Sequence, residues 1–567
     1  MIQIILSKLG VYKKASILTP VFMILEVAME MVIPLMMSSI IDKGVSVGDM
    51  SHIVKMGGWM VVAAAIGLFG GLMGGKYGAE ASAGLARNLR KSMYEKIQSF
   101  SFANIDRFSS AGLITRMTTD ITNIQNAYQM ILRMCVRSLI SLVVAMCMSV
   151  YISPRISLIF FGAVIFLGLV LGTVIRFATK TFTQVFSKYD DLNESVQENI
   201  TAIRVVKAFV REDYERKRFT EANENLYKMF VKAENIIVWN FPVMMLTIYT
   251  CILLISWNGA HMIVAGSLKT GQLMSLFSYC MNILMSLMML SIVFVMITMS
   301  QASAKRIAEV LAEESTLTNP EKPIYEVKDG SIRFDDVTFR YQETSEKPVL
   351  DHVNLEIASG QTVGIIGSTG SSKTSLVNLI SRIYDVSSGA VFVGGKDVRT
   401  YDLETLRNQV AMVLQQNLLF SGTILENLRW GKEDATLEEC KRVCELACAD
   451  EFIQGFPDGY ETRIEQGGSN VSGGQKQRLC IARALLKQPE VLILDDSTSA
   501  VDTATDARIR EAFRKYLPGT TKIIIAQRIS SVQDADMIVV MENGRIDGVG
   551  TQSKRRSHPQ ERSMRRR

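Results

Sequence analysis

Asn470-Val471-Ser472-Gly473-Gly474-Gln475 stands between Gly367-Ser368-Thr369-Gly370-Ser371-Ser372-Lys373-Thr374 upstream and the apolar run Val491-Leu492-Ile493-Leu494-Asp495-Asp496 just downstream. The upstream stretch follows the β-rich run Val363–Ile366 and opens a helical pattern. In that context backbone N–H groups at a helix N-terminus cradle phosphate. Lys373 is then placed to pair with the β and γ phosphates of ATP, and the Thr374 hydroxyl to ligate Mg²⁺. Asp495 ends a buried apolar strand, where a carboxylate can hold Mg²⁺ through water. A lone Gly-rich loop says little, whereas phosphate loop, Ser-Gly-Gly-Gln run and strand-borne acid pair in this order are hard to produce by chance.

Downstream of Ser331, β-rich runs at 332–339, 362–366, 391–393, 491–494, 522–526 and 537–541 alternate with helical segments. That alternation predicts an α/β domain over 331–551. A polar stretch with Pro320 and Pro323 marks a linker over 313–330. Upstream lie six apolar stretches, 17–41, 53–77, 131–152, 156–175, 236–255 and 273–298. Each is long enough to cross a bilayer as a helix. The fold class is therefore multi-domain, an all-α six-helix membrane domain over 1–312 followed by the α/β domain.

The short connections 42–52, 153–155 and 264–272 hold only Lys43, Arg155 and Lys269, whereas the long ones, 78–130 and 176–235, are studded with Lys and Arg. The positive-inside rule then puts the long connections, both termini and the α/β domain on the cytoplasmic side of a bacterial-type cell membrane. Residues 1–14 do not resemble a cleaved signal and read as an interfacial amphipathic helix. The formal charge of +6 is carried by the tail, where Lys554–Arg567 holds seven Lys or Arg against one Glu. The body gives no hint of nucleic-acid binding, and 552–567 reads either as a basic, disordered tail whose arginines could touch anionic membrane lipid or as a frame change in the coding sequence. Cys440, Cys444 and Cys448 share a helical face, but the paired short-spaced ligands of structural zinc are missing.

From end to end the chain resembles a half-transporter of the ABC exporter family, one membrane domain fused to one ATP-binding cassette. The resemblance extends to Tyr341 as the aromatic residue stacking on adenine, Gln415 as the Q-loop glutamine beside Mg²⁺, and Ser499-Ala500-Val501-Asp502 as the D-loop. It implies a nucleotide site of Tyr341, Gly367, Ser368, Thr369, Gly370, Ser371, Ser372, Lys373, Thr374 and Ser375. Metal contacts fall to Thr374, Gln415 and Asp495, and hydrolysis to the positions of Asp496, Gln527 and Gln415. In the family two cassettes pair head to tail, so Ser472, Gly473, Gly474 and Gln475 would cap ATP held by the other subunit. Phe108–Arg116 and Glu198–Phe209 look like the two intracellular loops whose short coupling helices dock on the cassettes.

Three positions depart from the family pattern. Ser372 stands where Gly is favoured for backbone reasons. Asp496 stands where a Glu acts as general base; its shorter arm withdraws the carboxylate by roughly 1 Å, a misplacement that can cost about a hundredfold in rate. Gln527 replaces the switch His. Together they predict ATP held more than turned over, as in the degenerate-site subunit of heterodimeric multidrug or lipid exporters. A heterodimer with a second half-transporter is the favoured expectation; a homodimeric flippase with two slow sites and a non-transporting ATP-binding regulatory subunit remain alternatives.

The cargo implied by the resemblance is a small amphipathic drug or lipid. Glu26 and Glu30 lie one turn apart in the first span and either face a cavity that attracts cations or satisfy neighbouring helices. The sixth span carries methionines from Met274 to Met299 with Asn282 among them, either an adaptable ligand surface or helix packing.

Overall fold

The computed structural model describes residues 1–343, 345–496 and 501–550. Ser499 and Ala500 of the D-loop reading and the tail 552–567 lie outside the described residues. The chain divides into two compact units: Met1–Gln98 with Ser109–Glu313, and Ser99–Phe108 with the residues from Glu314 onward.

The first unit is helical and, among the described residues, holds six helices long and apolar enough to cross a membrane: Gly10–Val45, Met50–Gln98, Ser110–Ile152, Pro154–Phe182, Glu212–Val264 and Thr270–Ala312. They contain all six apolar stretches but do not end where the apolar residues end. Met50–Gln98 runs for 49 residues and Pro154–Thr201 for 48. At about 1.5 Å per residue each is roughly 70 Å long, against about 30 Å of hydrocarbon. The long connections, read from sequence as loops, are largely continuations of the same helices. The tight turn between the third and fourth spans has a local cause: Ser153 is extended, its Oγ accepts from the Ile156 N–H, and Pro154 occupies the first helical position.

The first two spans meet along glycine. A Cβ on Gly70 would lie 3.1 Å from both the Glu26 nitrogen and the Phe22 carbonyl oxygen, and one on Gly74 would strike the Met23 side chain at 2.3 Å. Only small residues allow backbones so close. The first and sixth spans are tied by polar bonds, Tyr279 Oη to the Met31 carbonyl at 2.7 Å and Ser275 Oγ to the Pro34 carbonyl at 2.7 Å.

Among its described residues the second unit holds three sheets, one of them only the two-stranded pair Gly422–Thr423 and Arg463–Ile464. In the six-stranded sheet the order is Arg545–Gly550, Met537–Glu542, Thr362–Gly367, Thr521–Ile525, Val491–Asp495, Val410–Val413. All but the Arg545–Gly550 pairing are parallel. Buried on both faces, these strands are near-continuous apolar runs, which is why most were legible. A four-stranded antiparallel sheet contains Leu350–Ile357, Ile332–Phe339, Ser388–Val393 and Lys396–Asp397.

Two boundaries differ from the sequence reading. The stretch 314–330 is packed into the cassette: Leu317 and Val327 are buried, and Ile324 exchanges backbone bonds with Thr400 and Asp402, each 3.0 Å. Pro320 and Pro323 suit this extended path, and only its polarity made it look like a free linker. The short helix Phe102–Phe108 also belongs to the cassette unit, whereas Ser110–Thr115, inside the expected coupling segment, belongs to the membrane unit. Asn104, 2% exposed, donates to the Glu314 carbonyl at 3.0 Å and accepts from the Thr316 N–H at 3.2 Å.

Candidate nucleotide site

The site follows from the six-stranded sheet, whose five parallel strands all end at one edge. Ile525 is in register with Asp495 on one side and Ile365 on the other, and Val413 with Leu494. The phosphate loop, Gln415, the Asp495-Asp496 pair and Gln527 are therefore delivered to the same edge by four different strands.

Within the loop the backbone leaves little freedom. A Cβ on Gly367 would lie 2.3 Å from the Met541 carbonyl oxygen and 2.5 Å from Ser371 Oγ. Gly370 has φ +83°, a left-handed conformation with open space beside it. Ser372 is also left-handed, φ 71° and ψ 24°, immediately before the helix Lys373–Ile380. Here lies the physical reason the position suits Gly: the turn demands positive φ, and Ser adopts it with strain. Lys373 Nζ folds over the loop, 3.1 Å from the Gly367 carbonyl, 2.8 Å from that of Ser368 and 3.2 Å from Ser371 Oγ. Burial lowers its pKa, partly offset by Asp495 and Asp496.

Asp495 is 2% exposed, and its Oδ2 is buried with no hydrogen-bond partner. Burial raises its pKa against a bond from Thr374. A buried carboxylate oxygen without a donor, beside a hydroxyl and a second acid, suits a divalent cation. The residues thus fit Mg²⁺–ATP: the loop N–H groups and Lys373 would hold phosphate, and Thr374 and Asp495 the ion. When bound, Mg²⁺ supplies charge neutralisation on the phosphates.

Asp496 departs from ordinary backbone too, with φ 50°. Its Oδ2 accepts from Gln527 Nε2 at 2.8 Å, so two of the three departures noted in the sequence are paired with each other. Burial raises the Asp496 pKa while this bond lowers it. Tyr341, half in solvent, bonds through Oη to Ser375 Oγ at 2.9 Å. Ser375 is itself buried, and its hydroxyl anchors the aromatic ring beside the loop. Gln415 is exposed, two residues past its strand.

Ser472 caps the helix Gly473–Leu485 in a reciprocal box with Gln475, whose N–H donates to Ser472 Oγ at 3.3 Å while its Oε1 accepts from the Ser472 N–H at 2.9 Å. Ser472 and Gly473 are exposed. Among the described residues, none of Ser472 to Gln475 bonds to the 367–374 loop of its own chain.

Family comparison fits this geometry. A model described as the ABC transporter transmembrane region matches residues 16–288, and one described as ABC transporter matches residues 350–499. The chain belongs to the ABC transporter family. It is a half-transporter, one transmembrane region joined to one cassette. The ABC transporter ATP-binding protein YfiB of Bacillus subtilis is 37% identical over 555 residues, covering 98% of this chain and 96% of that protein. The ABC transporter ATP-binding protein Rv1273c of Mycobacterium tuberculosis is 35% identical over 524 residues, 92% of this chain and 90% of its own length. A solved bacterial Atm1-family ABC exporter with ATP bound superposes with TM-score 0.83 at 23% identity over 98% of each chain, a likeness of fold.

In the transmembrane region of this ABC transporter, Glu26 and Glu30 share one partner. Arg137 donates to Glu26 Oε1 at 2.8 Å through Nη1 and to Glu30 Oε2 at 2.9 Å through Nη2. Of the two sequence readings, the geometry supports satisfaction by a neighbouring helix, with part of the acidic charge neutralised. Arg137 was the residue missed; with Arg133 it was the available signal, a cation inside an apolar stretch. In the sixth span Met274, Met281, Met285 and Met289 are exposed on the isolated chain, and Asn282 is half-buried. Cys440 and Cys444 are buried along the helix Leu437–Leu446, while Cys448 lies beyond its end with φ 52°. The single-face reading of the three cysteines therefore fails at Cys448.

Proposed function

We propose that this chain is one subunit of an ATP-driven exporter that moves amphipathic drugs or lipids outward, with the cassette and both termini cytoplasmic. Its own phosphate loop binds Mg²⁺–ATP and hydrolyses it slowly. A second half-transporter supplies Glu and His at the positions of Asp496 and Gln527, and Ser472 to Gln475 of this chain complete that partner's hydrolytic site. The observation that carries the reading is the Gln527–Asp496 bond, which ties up the two groups that would orient and deprotonate the attacking water. The exposed methionines of the sixth span support an adaptable apolar cargo.

In the cycle, ATP binding draws the cassettes together, closure is passed to the membrane helices, and hydrolysis at the partner's site resets the pair. The test is Mg²⁺-dependent ATP hydrolysis by the purified chain in lipid, with Lys373→Ala as the blank, repeated with its co-purifying partner. Turnover only with the partner is the expected result. Substantial turnover by the chain alone would favour a homodimer and overturn the degenerate-site assignment.

A further inference from the structure

The loop after the helix Lys373–Ile380 carries an aromatic side chain to which the nucleotide site assigns no part. Arg382, 6% exposed and left-handed at φ 50°, grips Asp385 with both Nε, at 2.8 Å, and Nη2, at 3.2 Å, and this clamp fixes the intervening Tyr384. The Tyr384 ring meets Tyr341 edge-on, centroids 5.1 Å apart at 89°, and Phe339 at 5.7 Å. On its other side it meets Phe102 at 6.3 Å, and its Oη donates to Asp106 Oδ2 at 2.7 Å. Phe102 and Asp106 both belong to the helix Phe102–Phe108, which covalently joins the ends of two membrane-crossing helices, Met50–Gln98 and Ser110–Ile152.

We propose that Tyr384 is a positioning residue that couples adenine on Tyr341 to the helix Phe102–Phe108. The inference rests on the reading of Tyr341 as the adenine stacker. Adenine stacked on Tyr341 fixes that ring, the edge-on contact fixes Tyr384, and the hydroxyl fixes Asp106. Aromatic pairs of this geometry are orientation-dependent, and a charge-assisted hydrogen bond adds direction at the far end. Tyr341 is also bonded to Ser375 of the phosphate-loop helix, so the ring is held from the nucleotide side as well. Burial, then Asp106, pushes the Tyr384 hydroxyl pKa up, so it stays a donor across physiological pH.

The experiment is hydrogen–deuterium exchange of the segment 99–108 in the full chain in lipid nanodiscs, without nucleotide, with Mg²⁺–ATP, and with Mg²⁺–tripolyphosphate, which occupies the phosphate loop without a base. Mg²⁺–ATP slows exchange in 99–108 and tripolyphosphate does so less. In Tyr384→Phe and Asp106→Asn, both of which keep side-chain volume, the slowing drops by about three- to tenfold, the worth of one hydrogen bond, while ATP affinity stays within about twofold. Equal slowing in wild type and variants, or equal slowing by tripolyphosphate, overturns the proposal. Loss of ATP affinity in Tyr384→Phe would show a merely structural residue and also overturns it. Failure of the wild type to bind ATP removes the proposed function together with this inference, whereas retained ATP binding with unaltered slowing in the variants removes this inference alone.

Discussion

Gln527 and Asp496 are joined across 2.8 Å, amide nitrogen to carboxylate oxygen, at the ends of neighbouring strands of the parallel sheet. Neither the length of Asp nor the neutrality of Gln is then an isolated defect; each is satisfied by the other. Restoring one alone would leave its partner mismatched. Asp496→Glu with Gln527→His should raise Mg²⁺-dependent hydrolysis by the chain on its own by about ten- to a hundredfold, the range set by general-base geometry. Each single change should give much less. A phosphate-release assay on the three variants decides this, and a flat double variant would mean that the Gln527–Asp496 pair does not limit hydrolysis.

Ser372 predicts a gain of binding. A left-handed Ser costs roughly 1 kcal/mol relative to Gly, so Ser372→Gly should tighten Mg²⁺–ATP by about fivefold, read by titration of a fluorescent ATP analogue. Ser372→Ala keeps the strained Cβ and should give no gain. Equal behaviour of the two variants would detach affinity from backbone strain at this turn.

The shared-site reading separates two other positions. Ser472 caps an exposed helix N-terminus and would meet the partner's ATP, so Ser472→Ala should cut turnover of the paired transporter by about tenfold or more. Asp496→Asn, in the site proposed to be slow, should cost the proposed pair less than about twofold. Comparable losses in a steady-state assay of the purified pair would contradict the asymmetry.

Asp120 predicts a loss of stability instead. Its carboxylate is 1% exposed and takes Arg306 Nε at 2.7 Å, Arg306 Nη2 at 2.5 Å and Ser303 Oγ at 2.8 Å. Removing one partner of a fully buried pair costs about 3–5 kcal/mol. The Arg306 side chain is 45% exposed, so the figure for Arg306→Ala is nearer about 2 kcal/mol after solvent screening. Thermal unfolding in detergent should show Asp120→Ala and Arg306→Ala both less stable, and the double variant less destabilised than their sum.

Much of this molecule was legible because its signals are local and periodic. The six spans are long apolar runs, and the strands of the parallel sheet are apolar on both faces, so Val491–Asp495 announced itself. Leu350–Ile357 did not, because Asp351, His352 and Glu356 break its apolar pattern on the exposed face of the antiparallel sheet. Polar continuations of the membrane helices carry no stripe wide enough to read, and there helix propensity outweighs the missing periodicity. Partnership at a distance was the least legible. Nothing local tells Glu26 from Arg137, or Gln527 from Asp496, that they will meet. The assignment of Ser99–Phe108 likewise depends on Asn104 finding Glu314 and Thr316.

That last assignment has a consequence for biosynthesis. A folding unit assembled from two distant parts of one chain cannot close until the later part leaves the ribosome. Residues 99–108 emerge early, between two membrane-crossing helices, and must wait with Phe102 and Asn104 unpacked until everything from Glu314 onward has been made. A cassette expressed by itself from Glu314 would lack them, leaving the Tyr384 hydroxyl without Asp106 and the Thr316 N–H without its acceptor. Degradation of a truncated or slowly inserted chain should therefore begin in this early segment, which limited proteolysis of ribosome-bound chains arrested before and after the cassette would register as protection arriving only with the finished domain.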